Sequence, residues 1–146
     1  MKLTKEEIME LVHLDGLCFE PPICYTYRDV TNYIRRKGAT LLRKRKGEKL
    51  IAFCLGDSSD GNIITVDVHQ DYRRQGLGRQ LLSEMLEKFR ALGVSKAVSQ
   101  IALDNIPSLS LHKSLGFEIR HILYGYYPDG SSAFELVLPL TPEGKS

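Results

Sequence analysis

The stretch from Ile63 to Gly93 constrains the chain more than any other. Alternating β-branched residues, Ile64, Val66 and Val68, predict a strand. The chain then turns through Asp71-Tyr72-Arg73-Arg74-Gln75 and passes Gly76-Leu77-Gly78. From there Leu77, Leu81, Leu82, Met85, Leu86, Phe89 and Leu92 recur at helical spacing, with Arg79, Ser83, Glu84, Glu87 and Lys88 between them. Gly93 is a suitable end cap. The middle of the chain therefore runs strand, glycine turn, long amphipathic helix.

That order has a chemical use. The first turn of a helix carries amide N–H groups without internal partners, and the helix dipole adds partial positive charge there. Gly76 and Gly78 remove Cβ atoms, so a phosphate can approach the backbone, and Arg73, Arg74 and Arg79 add charge. A pyrophosphate cradle and an ordinary tight turn both fit Gly-x-Gly alone. A dinucleotide site would need a third glycine where Leu81 stands, and no Gly-Lys-Ser/Thr of a P-loop occurs.

A length of 146 residues suits one domain, 1–146, with a real core. The net charge of +2 is too small to argue for nucleic acid, and no aromatic–basic interleaving supports it. The N-terminal residues form no signal core and no run is long enough for a bilayer, so no membrane contact is expected. Cys18, Cys24 and Cys54 have no metal spacing and leave one unpaired in any disulfide scheme. Reduced thiols and a cytoplasmic home are the expectation, with no metal.

Thr4-Lys5-Glu6-Glu7 is a capping box before Ile8, Leu11, Val12 and Leu17, so the first helix starts at Thr4. Prolines make Phe19–Tyr25 an ordered loop. A second helix is expected over Tyr27–Lys37, burying Val30, Tyr33 and Ile34 and ending at Gly38. Strands at Ala39–Lys46 and Lys49–Gly56 form a hairpin around Gly47, with Arg43-Lys44-Arg45-Lys46 read as its solvated end. A strand at Lys96–Ala102 and a short helix at Pro107–Leu115, capped by Asp104 or Asn105, follow. Strands at Phe117–Leu123 and Ala133–Leu138 complete the set, and Pro142–Ser146 is expected to fray.

Arg73-Arg74-Gln75-Gly76-Leu77-Gly78 resembles the R/Q-x-x-G-x-G/A signature of the GCN5-related N-acetyltransferases (GNAT). Asn105 and Leu111-His112-Lys113-Ser114-Leu115-Gly116-Phe117 resemble that family's second signature, N-x-x-A-x-x-L-Y-x-x-x-G-F. Gly125-Tyr126-Tyr127-Pro128-Asp129-Gly130 and Ala133 look like the branch that acetylates protein N-termini. The resemblance covers roughly Leu17 to Leu138 and implies an α/β fold of mixed α+β character. Its central, mostly antiparallel mixed sheet is splayed at an acetyl-CoA site and flanked by about four helices. A strand usually precedes the first helix in that family. Only Met1 to Leu3 remain for it here, so it is short or missing.

The resemblance implies acetyl-CoA as cosubstrate. Its pantetheine would pair with the backbone around Val66 and Val68, and its pyrophosphate would lie on the amides of Arg74 to Arg79, with Arg73, Gln75, Gly76, Leu77 and Gly78 part of the same site. Asn105 would bond the pantetheine arm while also capping its helix. Phe19, Pro22, Tyr25, Tyr126 and Tyr127 become candidates for acceptor contact, and the N–H of Val68 for stabilising the oxyanion.

Two positions depart from the pattern. The acid for the leaving thiolate is a tyrosine in similar proteins, and His112 stands there. An imidazolium would be the stronger acid, and a drifted surface histidine is the competing reading. The base position holds Gln100, which cannot accept a proton and can only orient a water, and Asn62, near a second base position, cannot either. Tyr127 or Asp67 could assist, whereas His13, His69 and His121 read as structural or exposed. Three functions remain open: acetylation of a protein or peptide α-amine, acetylation of a small-molecule amine, and acyl-CoA binding with little catalysis. Either a monomer or a homodimer is compatible.

Overall fold

The computed structural model of the chain describes residues 1–141. Two helices, α1 (Lys5–Cys18) and α2 (Tyr27–Ile34), precede strands β1 (Ala39–Lys46), β2 (Lys49–Asp57) and β3 (Asn62–Val68). A short 3-10 turn, Gln70–Tyr72, leads to α3 (Leu77–Ala91), then β4 (Lys96–Ala102), α4 (Ile106–Ser114), β5 (Glu118–Leu123) and β6 (Ala133–Pro139). The six strands form one sheet in the order β1-β2-β3-β4-β6-β5. Only β3 and β4 run parallel, and the other neighbours are antiparallel. The expected mixed sheet with four helices is the observed fold.

The Thr4 capping box is present in full: the threonine hydroxyl accepts from the Glu7 amide, and the Glu7 carboxylate accepts from the Thr4 amide. Those bonds, with Arg43 beside it, pull the Glu7 carboxyl down to about 2. No strand precedes α1 among the described residues. The stretch Pro142–Ser146, expected to fray, lies outside them.

Helix α3 buries Leu81, Leu82, Met85, Leu86 and Phe89 against one face of the sheet. Each such side chain contributes about 1.5–3 kcal/mol of transfer free energy. Gly56 in β2 permits this contact, because a Cβ there would come within 3.0 Å of Met85 and Phe89. Helices α1 and α2 cover the opposite face, where Ile8, Leu11, Leu14, Val30 and Ile34 meet Phe53, Leu55 and Ile64. Strand β2 is therefore covered on both sides, which is why Leu50–Leu55 reads as an unbroken apolar run.

Two expectations need correction. Helix α2 ends at Ile34, not Lys37: after Ile34 come three cations with no apolar residue to bury, and Arg36 reaches Asp57 at 3.5 Å. The run Arg43–Lys46 is not a free solvated end. Alternation along β1 sends Arg43 and Arg45 to Glu7 and Glu10 of α1, each at 2.9 Å, and Lys44 to Glu84 of α3 at 3.1 Å.

Candidate active site

The sheet is closed at one end of the β3–β4 seam and open at the other. Pairing covers only Asn62↔Val98 and Ile63↔Ser99, just after the bond from the Val98 amide to the Gly61 carbonyl. Beyond Ile63 the two strands part, while β4 stays paired with β6 as far as Ala102. A β-bulge at Leu55/Gly56 shifts the β2–β3 register just where the parting begins.

The direction of the β3 backbone in the gap follows from its other ladder. Opposed residues in an antiparallel pair alternate between bonded and non-bonded positions. The His69 amide bonds the Ile51 carbonyl at 2.8 Å. The register Ala52↔Val68 and Cys54↔Val66 then places Val68 and Val66 at non-bonded positions. Their N–H and C=O groups point away from β2, into the gap. Consistent with this, the Val68 carbonyl accepts from Arg73 Nε at 3.0 Å and from the Cys18 thiol at 3.4 Å.

Two cavities fill the opening and share Cys18, Phe19, Val66, Asn105 and Ser108. The larger, about 500 Å³, runs along the start of α3 past Val68, Tyr72, Arg73, Arg74 and Gly76–Arg79 to Leu111. No side chain caps α3, and the first bond inside the helix is from Gln80 to the Gly76 carbonyl. The amides of the first turn are thus free to meet an anion. Gly76 has φ +80, so glycine is needed there for conformation. At Gly78 a Cβ would stand 3.3 Å from Leu111 and in ordinary contact with Val68 and Val66, so a longer side chain there would fill the groove. Arg74 adopts φ +63, an unusual value for a residue with a side chain. Arg79 bonds Ser114 Oγ at 2.7 Å and ties α3 to α4 across the groove.

The second cavity, about 340 Å³, lies between the splayed strands and is lined on its far side by Tyr25, Gln100, Asp104, His112 and Tyr127. Asn105 caps α4 through the Ser108 amide at 3.2 Å and borders both cavities. Gln100 Nε2 donates to Glu135 Oε2 at 3.3 Å, which leaves the amide oxygen of Gln100 as its free acceptor. His112 is 2% exposed, with Nδ1 2.8 Å from the Ser108 carbonyl oxygen. It is no surface residue. Burial lowers its affinity for a proton, partly opposed by the bond to Ser108.

Not every expected residue arrives. Gln75 does not line the groove. Pro22 is exposed and lines neither cavity; the loop brings the half-buried Ile23 and the exposed Glu20 to the wall of the second cavity instead. Tyr126 lines neither, but packs edge-on against Tyr127 with ring centres 5.0 Å apart. Tyr25 lines the second cavity and bonds the Ile64 carbonyl through its hydroxyl at 3.1 Å. Burial pushes Tyr127 up to about 12 and the Cys18 thiol to about 11, the nearby Asp67 adding to the latter.

Beside the opening lies a pair of acids. Asp15 of α1 and Asp67 of β3 are 0% and 1% exposed. Asp15 Oδ2 accepts from the Tyr25 amide at 2.6 Å, and Asp67 Oδ1 accepts from the Thr65 hydroxyl. Asp15 Oδ1 and Asp67 Oδ2 have no other donor, so a proton held between the two carboxyls satisfies both. Burial, and then the charge of Asp15, hold Asp67 well above the ordinary carboxyl range. Asp67 takes no place in the cavity wall, unlike its neighbour Thr65.

Residues 6–117 match the acetyltransferase (GNAT) family. The chain belongs to that family. It is 32% identical over 98 residues to the [ribosomal protein bS18]-alanine N-acetyltransferase of Escherichia coli strain K12, covering 64% of this chain and 66% of that protein. It is 30% identical over 81 residues to an N-alpha-acetyltransferase of Sulfurisphaera tokodaii, covering 55% of this chain and 48% of the other. These alignments thus span between about half and two thirds of the relatives' length. The crystal structure of the ribosomal-protein-S18-alanine N-acetyltransferase from Escherichia coli superposes with a TM-score of 0.82 at 22% identity, over 100% of this chain and 96% of that one. The six-stranded sheet with its four helices is therefore a fold this chain shares with that structure. No helix among the described residues is long and apolar enough to cross a membrane.

Proposed function

We propose that the chain is an acetyl-CoA-dependent N-acetyltransferase acting on the α-amine of a protein or peptide N-terminus, and that it works in the cytoplasm. The observation that carries this reading is the continuity of the two cavities. A groove with free helix amides and arginines at one end meets, at Val66, Asn105 and Ser108, a chamber walled by the loop after α1 and by Tyr127. Membership of the acetyltransferase family and the likeness to two kinds of N-terminal acetyltransferase support it.

In this reading the first-turn amides of α3, with Arg73 and Arg74, hold the pyrophosphate, and the Val66 and Val68 backbone takes the pantetheine arm as an added strand. The Val68 amide, aimed into the gap, donates to the oxyanion. Gln100 places the incoming amine through its free amide oxygen and does not remove a proton. The three free thiols fit a reducing compartment.

The competing reading is an acyl-CoA-binding protein with little catalysis, favoured by one observation: the base position is an amide already bonded to Glu135. An acceptor panel decides between them. Purified protein is given acetyl-CoA with peptides of varied N-terminus and with small polyamines and amino acids, and thiol release is followed. Steady turnover on peptides is expected. Turnover on small amines alone would move the acceptor class, and tight CoA binding without turnover would favour the binding protein.

A further inference from the structure

The Nε2 atom of His112 is buried and has no hydrogen-bond partner among the described residues. Its ring is fixed on both sides. Nδ1 faces the Ser108 carbonyl at 2.8 Å, with the Ser108 hydroxyl at 3.5 Å, and Phe117 packs edge-on with ring centres 4.9 Å apart. A carbonyl oxygen only accepts, so Nδ1 carries the proton and, in the neutral ring, Nε2 is a bare lone pair. Burial favours that neutral form. A ring in this state has nothing on Nε2 to give. It can only receive. For His112 to act as the acid expected from the sequence, its ring must first take up a proton.

We propose that His112 is a proton relay, its Nε2 taking the proton of the attacking amine and returning it to the sulfur of the departing thiol. This rests on the acetyltransferase reading. The amine attacks the thioester carbon and forms the C–N bond, so its nitrogen becomes positively charged and acidic. Nε2 accepts that proton and the ring becomes imidazolium. When the C–S bond breaks, its electron pair goes to sulfur, and the imidazolium protonates the thiolate. Amide and thiol are the products, and the ring returns to its starting tautomer with no outside acid or base. The second transfer runs downhill, since an imidazolium at or below about 6.5 is a stronger acid than a thiol near 8.5. One side chain can thus serve a cavity in which the usual base position is Gln100.

The other titratable groups that share the cavity with His112 are Cys18, Glu20, Tyr25, Asp104 and Tyr127. Burial raises Cys18, Tyr25 and Tyr127, which removes all three from titration in the neutral range. None of the five is bonded to the ring.

Nitrogen NMR of histidine-labelled protein tests the starting state, with His112→Gln used to assign the signal among the four histidines. At pH 7 the ring should be neutral with the proton on Nδ1; a charged ring or an Nε2–H tautomer overturns the relay. Kinetics test the step. With a peptide acceptor, His112→Phe should lower kcat by about 10²–10³-fold, within the range of general acid–base catalysis, and change CoA affinity less than about threefold. Wild-type kcat should hold level on the alkaline side, because the neutral ring is the working form. A fall through the range of imidazole ionisation, or a Phe variant within about threefold of wild type, overturns the relay and leaves the acetyltransferase standing. Absence of wild-type turnover on every amine overturns both.

Discussion

The two ends of the β3–β4 seam are made of the same strands and differ in what satisfies them. At the closed end Gly61, Asn62 and Ile63 are bonded to or paired with β4, and Ile63 and Ala97 are buried in the α3 core. At the open end Val66 and Val68 turn their backbone groups to a cavity, the carboxyls of Asp15 and Asp67 have only each other, and His112 Nε2 has no partner among the described residues; at the closed end Asn62 Oδ1 alone is left so. Buried polar groups in native proteins are nearly always satisfied, so the bare Nε2 of His112 beside the cavity is an exception that calls for a partner from outside the chain. The contrast teaches that the closed end must hold the strands firmly enough for the open end to stay apart.

The largest effect should come from breaking the closed end. A Cβ at Gly61 would overlap the Lys96 carbonyl oxygen, and the residue has φ +78. Steric overlap and a left-handed backbone together should make Gly61→Ala less stable by roughly 2–4 kcal/mol. Urea unfolding measures this, and a loss under about 1 kcal/mol would show that the seam is not held there.

At the open end the corresponding change is Gly78→Glu, which fills the groove and adds negative charge beside the free amides. Wild type at a hundredfold excess of CoA over its Kd should gain about 2.7 kcal/mol in apparent stability, and the variant should lose most of that gain. Thermal shift with and without CoA decides it. A variant with the wild-type shift would mean that the groove lies elsewhere.

A smaller effect isolates the acid pair. Asp67 keeps its proton in the folded chain at pH values where the unfolded chain, with a carboxyl near 3.9, has released it. As pH rises above that value the unfolded state binds fewer protons than the native one, so stability falls until the folded carboxyl itself ionises. Asp67→Asn removes that slope, and its amide can donate to Asp15 Oδ1 as the protonated carboxyl does. Above about pH 5 the variant should exceed wild type by on the order of 1 kcal/mol, or ~2–4 °C in Tm. Parallel stability curves from pH 4 to 8 would dismiss the shared proton.

The elements at the seam could be read from the sequence because their signals are local. The strand of β-branched residues, the turn at Gly76 and Gly78, the Thr4 cap and the span Lys96–Ala102 each depend on neighbours within a few residues. What escaped depends on register between distant elements. Glu135 meets Gln100 only because β4 and β6 pair as they do, and Asp15 meets Asp67 only because α1 crosses β3. Loop alternation likewise decided between Pro22, which faces solvent, and Ile23, which faces the cavity. His112 was legible as a position but not as a tautomer, which Ser108 one turn earlier determines.

Among the described residues β1 is an outer strand of the sheet. Its far half is Arg43-Lys44-Arg45-Lys46, of which the first three are paired to carboxylates of α1 and α3 and Lys46 is not. Another copy of the chain laid edge to edge would have to disturb these ion pairs and bring two Lys46 ammonium groups near one another, and a lysine on an edge strand disfavours such pairing. The edge therefore discourages fibre-like stacking of identical molecules. Three of these four residues, Arg43, Lys44 and Arg45, also fasten both helical layers to the hairpin.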